Sequence, residues 1–248
     1  NQANQFLALA EAVSLEDLFD RLEKKGVLMR LDKAVKPTQF HGATVSKTEL
    51  KLLGQVKNVI RMGRVQHISK TTLSFAQGDF SLPPNTLFVD CSATPISKEI
   101  NTIPIFEDDV ITPQTVRSYQ PAFSAAFIAH VEVNYGSNEE KNKLCGIVPL
   151  PDRDTDWLRG LAATMLNQLN WSSDKPLRQW MTENRLDGFS HLVRGAYRED
   201  PMKKEILSRL KNNALPAMMK LQQFIQELDS KTEVKMKHPQ FQVEKKLF

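Results

Sequence analysis

Glycine is scarce in this chain. It supplies 10 of 248 residues, roughly 4% against the usual ~7%. The shortage excludes the common phosphate-cradling loops, since neither G-x-G-x-x-G nor G-x-x-x-x-G-K-[ST] occurs. Cysteine is scarcer still. Cys91 and Cys145 are too few for a disulfide scaffold, lack metal-ligand spacing and form no C-x-x-C pair, so dithiol redox chemistry has no support. No nucleophile elbow of the G-x-S-x-G type is present. No apolar run approaches the roughly 18 residues of a membrane span. The polar N-terminus lacks a signal-peptide pattern, and a reducing cytoplasm is the expected compartment.

What is present is ordinary globular material. The chain is 41% hydrophobic and 25% charged, enough for a large single domain or two small ones with a real core. Its 33 basic and 29 acidic residues give a net charge of +4. Ten of the basic and five of the acidic residues fall in 201–248, so that segment carries +5 and the preceding body −1. The basicity therefore belongs to a C-terminal helix and tail. The tail is dominated by lysine, with phenylalanine only at Phe241 and Phe248, so it offers neither arginine forks nor stacking platforms for nucleic acid. A solvated helix face and a frayed tail are expected there, with no nucleic-acid partner.

Hydrophobic spacing predicts helix over residues 6–26, restarting at Ser14 with Asp17 three residues on, and stopped by Gly26. Ser46 and Glu49 form a second capping box before a short helix ending near Gly54. The texture then turns to strand. Residues 58–68, 71–75 and 80–82 read as a small meander, with a turn at Gly78 and Asp79. Leu87, Phe88 and Val89 form a continuous apolar run, the pattern of a strand covered on both faces. It ends in Asp90, Cys91 and Ser92, and ligands gather at the carboxyl ends of such strands. Pro121 opens a helix at its first position, with Phe123, Phe127, Ile128 and Val131 on one face and small residues elsewhere. From residue 152 onward the pattern is helical, with starts at Asp154, Pro176 and the Asp200–Pro201 step.

Few side chains carry chemistry on spacing alone. His41, His67, His130, His191 and His238 are scattered, and structural roles are favoured over metal or general-base work. Cys91 reads as a small buried hydrophobe in preference to a reactive thiol. Glu107, Asp108 and Asp109 read as a solvated acidic turn. The backbone donors at the start of the Pro121 helix, next to Gln120, suit a phosphate or an electron-rich flavin edge.

Three segments carry a resemblance: QVKNVIRMGRV (55–65), LFVDCSATP (87–95) and ITPQTVRSYQPAFSAAFIAHVE (111–132). Together they resemble the C-terminal half of FAD/NAD(P)-dependent oxidoreductases with two dinucleotide-binding domains. The likeness is to flavin monooxygenases and pyridine nucleotide-disulfide oxidoreductases, over about residues 15–189. It implies an α/β fragment, α+β in content, with the meander and buried returning strand of a Rossmann-like FAD/NAD(P)-binding fold and a mostly helical C-terminal region. Residues 1–56 would close the NAD(P)-binding region, 57–136 would complete the FAD-binding domain, and 137–248 would form the helical region with its basic tail.

The resemblance implies FAD and NAD(P)H as cofactors of the parent protein, with the glycine loops upstream of Asn1. Ser92, Asp109, Gln114, Gln120 and Pro121 would flank the flavin. Asp109 takes the acidic position of the family's Gly-Asp pair, although Asp108 stands where the glycine would be. Cys91, Ser92 and Ala93 stand where the family has an Ala-Thr-Gly-like turn. No catalytic residue, metal site or substrate is implied. The competing expectation is a non-enzymatic α+β scaffold whose C-terminal helices, bearing Trp157, Trp171 and Trp180, dock a protein partner.

Overall fold

The computed structural model describes residues 2–92, 103–187 and 200–231. It divides into two compact units, one formed by Asn1–Ala43 and Lys98–Phe248 and the other by Thr44–Ser97. The basic tail, His191, His238 and Ala93 lie outside the described residues. The content is α+β, with mainly helical structure and two small antiparallel sheets.

The larger unit opens with α1 (Gln2–Glu11) and α2 (Leu15–Lys24). Ser14 caps α2 by accepting from the Asp17 N–H at 3.1 Å, as the sequence predicts. Arg21 ties the pair together, bonding Asp17 on its own helix and Glu11 on α1 at 2.8 Å each. Gly26 takes φ +66°. Its N–H donates to the Glu23 carbonyl, and that of Val27 donates to Leu22, which is the paired closure of a Schellman end.

Two further helices follow the β4–β5 hairpin, Phe106–Glu107 against Val110–Ile111. They are α4 (Pro121–Asn134) and α5 (Asn138–Leu144). Then come α6 (Asp156–Ser173), α7 (Lys175–Glu183) and α8 (Pro201–Lys231). At the start of α6 the carboxylate of Asp156, and not that of Asp154, collects the N–H groups of Asp152 and Arg153. The helix that starts at the Asp200–Pro201 step is 31 residues long and runs through Pro216. Pro216 is exposed, and a ring there can be accommodated at the cost of one backbone bond.

Two apolar clusters hold this unit. In the first, Leu9, Leu18, Leu22, Leu158, Leu221 and Phe224 are all at most 1% exposed, which packs α1 and α2 against α6 and α8. In the second, Phe123 and Phe127 of α4 meet Trp171 of α6, with ring centroids 5.9 and 4.6 Å away. Leu177 and Met181 of α7 close that cluster.

The smaller unit contains α3 (Lys47–Leu53), closed by the reciprocal Ser46–Glu49 capping box and ended at Gly54. It also holds a meander of β1 (Val65–Ile68), β2 (Thr72–Phe75) and β3 (Gly78–Ser81). Phe75 pairs with Gly78, so the β2–β3 chain reversal falls on Ala76 and Gln77. Gly78 and Asp79, expected as the turn, are strand residues.

The returning strand is also corrected. Leu87 and Val89 are 85% and 76% exposed, and residues 86–92 join no strand. A doubly covered strand requires hydrogen-bonded neighbours, and among the described residues both sheets are antiparallel and neither includes this run. Cys91 is exposed in consequence, not the buried hydrophobe expected.

Because Leu221 is 1% exposed and Leu215 41%, the two should respond differently to truncation. Leu221→Ala should cost about 2–5 kcal/mol, and Leu215→Ala less than about 1 kcal/mol, by urea unfolding monitored by circular dichroism.

Candidate functional site

The residues proposed for a cofactor flank converge, apart from Ser92, on the hairpin and loop that lead into α4. Asp109 sits at the exposed tip of the β4–β5 hairpin, beside Asp108 at φ +48°. Gln114 follows in the loop. Its Nε2 donates to the Ile103 carbonyl at 2.5 Å, and its Oε1 is buried without a partner among the described residues. Gln120 occupies the N-cap of α4 but makes no side-chain capping bond, and Pro121 is the first helical residue. Ser92 belongs to the other unit. Its N–H and hydroxyl both donate to Asp90 Oδ1, at 2.8 and 2.6 Å, and these bonds hold the Asp90 carboxyl below its ordinary range.

The loop before α4 is fixed by polar contacts that spacing did not reveal. Thr115 and Val148 exchange two bonds: the Thr115 hydroxyl donates to the Val148 carbonyl, and the Val148 N–H donates to Thr115. Asn167 of α6, 2% exposed, donates to the carbonyls of Val116 and Gly146 at 2.8 and 2.6 Å. Ser124 Oγ accepts from the Val116 N–H at 3.1 Å and donates to the Gln120 carbonyl. The Tyr119 ring lies on Gly42, where an added Cβ would stand 2.0 Å from the ring. Gly42 also takes φ +70°, so both space and backbone require glycine there.

At the centre is Arg117. Its guanidinium lies 4.1 Å from the Phe123 ring centroid and 5.2 Å from that of Trp171. Its Nη1 donates to Asp187 Oδ1 at 2.9 Å, and both side chains are buried. The Nε has no partner among the described residues. An arginine held between aromatic faces and a carboxylate is fixed in direction as well as charge. This group orders the approach to α4 and is not offered to a ligand. Sequence spacing could not find it, since 70 residues separate the partners.

At the start of α4, the Ala122 and Phe123 N–H groups have no hydrogen-bond partner among the described residues. They are the positive end of a 14-residue helix. Further along α4, His130 stacks on Trp180 with centroids 4.3 Å apart and meets Asn134 at 3.2 Å. Burial pushes its pKa below the ordinary value, outweighing the opposing field of Asp174. Cys145 is buried among apolar side chains, which pushes its thiol well up and leaves it unreactive. Among the described residues, no group of three or more His, Cys, Asp and Glu side chains is placed to hold a metal ion. No helix among them is long and apolar enough to cross a membrane.

Comparison with known proteins finds relatives but no family. The chain is 40% identical over 186 residues to uncharacterized proteins of Mycobacterium bovis and of two Mycobacterium tuberculosis strains. The match covers 75% of this chain and 34% of each relative, so the chain spans about a third of the curated relatives it matches. A stretch of 186 residues in a chain of 248 cannot avoid residues 63–186. The match therefore includes the meander, the hairpin, α4 and α6. No family model and no solved structure matches.

Two outcomes test this geometry. Asp187→Ala strands a buried guanidinium and should cost about 3–5 kcal/mol, whereas an Arg117→Met/Asp187→Leu double variant should recover much of that loss. Differential scanning calorimetry reads both. For His130, the folded-state pKa lies below the unfolded value near 6.5. The folded chain thus binds fewer protons, and this contribution is complete above that pH and lost as pH falls through the folded value. The stability of the wild type should decline over that acidic interval. His130→Phe, which keeps the stack on Trp180, should show a shallower decline in urea titrations at stepped pH.

Proposed function

We propose that this chain is the flanking portion of a longer flavoprotein oxidoreductase that passes hydride from NAD(P)H to FAD, in a reductase or a monooxygenase-type reaction. The dinucleotide loops would lie in the part of the longer protein outside this sequence. The structural observation that favours this reading is the start of α4 beside Gln120 and Pro121, which has no side-chain cap and where the Ala122 and Phe123 N–H groups make no hydrogen bond among the described residues. Such an end favours negative charge by about 0.3–1 kcal/mol, in keeping with a phosphate or a reduced flavin. The relatives are consistent with it in size, since the match occupies only 34% of their length.

The residues present do not by themselves fit FAD. Ser92 spends both donors on Asp90, Gln114 spends its amide on Ile103, and Asp109 is exposed with Asp108 in place of a glycine. The chain would contribute position and dipole, while the flavin supplies the redox chemistry. In this reading the protein works in the reducing cytoplasm, in keeping with two free cysteines, on a small-molecule substrate. A second reading, a non-enzymatic scaffold whose C-terminal helices dock a protein, is favoured by Met202 and Met219 of α8, 71% and 64% exposed.

Purification of a full-length M. tuberculosis relative, followed by chromatography of the released nucleotide, separates the two. Near-stoichiometric FAD with NAD(P)H oxidation is expected of the relative, and little or no flavin of the 248-residue chain. A folded relative devoid of flavin would contradict the proposal and leave the scaffold reading.

A further inference from the structure

The smaller unit has no interior: none of its described residues, 44–92, is buried. Its sheet is nevertheless sharply two-sided. The pairs Val65–Phe75, Ile68–Leu73 and Leu73–Phe80 place five apolar side chains on one face, because directly paired residues point the same way. The pairs His67–Ser74, Ser74–Asp79 and Thr72–Ser81 fill the other face with polar groups. Val65 and Ile68 are three apart and would point to opposite faces in a regular strand. The register shift between Val65 and His67 brings them to the same one, as a bulge does. Gly78 belongs to the apolar side through its pairing with Phe75. The Met62 methyl would stand 2.8 Å from a Cβ there, so Met62 extends that side. Val65, Ile68 and Phe80 are 49%, 48% and 39% exposed.

A sheet this sharply sorted is built to be covered. We infer that the apolar face of the β1–β2–β3 sheet is an internal docking surface, covered in the longer proteins by an uncharged, apolar element from outside the matched third of the polypeptide. Area decides among occupants. Three strands of four residues make a footprint of roughly 14 Å by 13 Å, about 200 Å², against about 800 Å² per partner in a stable interface between separate molecules. So small a patch cannot hold a second copy or a free partner. It suffices for an element tethered in the same chain, whose effective concentration reaches about the millimolar range. The relatives supply such a tether, since the match accounts for 34% of their length and necessarily includes the meander. The exposed run at Leu87 and Val89 is a second apolar piece of this unit that joins no sheet among the described residues. The inference stands apart from the flavin reading, because any folded cover of this chemistry satisfies it.

Hydrogen exchange followed by mass spectrometry, on the 248-residue chain and on the full-length M. tuberculosis relative, tests it. The strand amides of 65–81 should be at least about tenfold more protected in the relative. Phe80→Asp should leave the thermal midpoint of the 248-residue chain unchanged, and the aligned apolar-to-Asp substitution should lower that of the relative. Equal exchange in the two proteins would overturn the inference. So would a concentration-dependent dimer of the 248-residue chain, seen by light scattering and abolished by Phe80→Asp, since a second copy would then be the cover. Flavin content can fail independently of either result.

Discussion

The long helix α8 gives the N-terminal helices something to bury against, and the larger unit depends on that docking. Residues 6–22 and 217–225 meet across at least 195 positions of sequence, and their apolar side chains share one cluster with Trp157 and Leu158 of α6. Neither α1 nor α2 is long enough to persist alone in water, where helices under about 12 residues are marginal. Their caps and the Arg21 bridges orient them, but removal of Leu9, Leu18 and Leu22 from solvent supplies the stabilisation. The second cluster follows the same logic with aromatic rings, and there Arg117 adds direction by lying between Phe123 and Asp187.

The smaller unit obeys the opposite condition. Its hydrogen bonds are made and its turns are well formed, yet its apolar side chains find no interior. A three-stranded sheet needs a covered face to be stable by itself, and a bulge has been spent to gather Val65 and Ile68 onto one side. Local structure and two-sided patterning are thus complete where burial is not. The contrast between the units is what carries the inference of a covered sheet face, and that inference does not depend on any cofactor.

Local signals were legible in the sequence. Ser14, Gly26, the Ser46–Glu49 box and Pro121 all act within four residues, and each marks the boundary that the structure shows. The buried face of α4 was legible for the same reason, since Phe123, Phe127, Ile128 and Val131 recur at helical spacing. The failures are long-range. An apolar run at Leu87, Phe88 and Val89 announces a buried strand only if neighbouring strands exist, and periodicity cannot supply them. Asn167 and the Arg117–Asp187 pair join segments 51 and 70 residues apart, and no spacing rule connects them. Among the candidate site residues, Gln120 and Pro121 stand at a helix start with no side-chain cap, whereas Ser92 and Gln114 proved to be engaged in hydrogen bonds to Asp90 and Ile103.

The central claim is that the meander presents an unfinished surface, completed by polypeptide outside the matched third. A crystal structure of a full-length M. tuberculosis relative measures this directly, through the solvent accessibility of the positions aligned with Val65, Ile68 and Phe80. The account predicts that all three are buried against residues from beyond the matched stretch. Three exposed positions, or burial against another copy of the molecule, would contradict it.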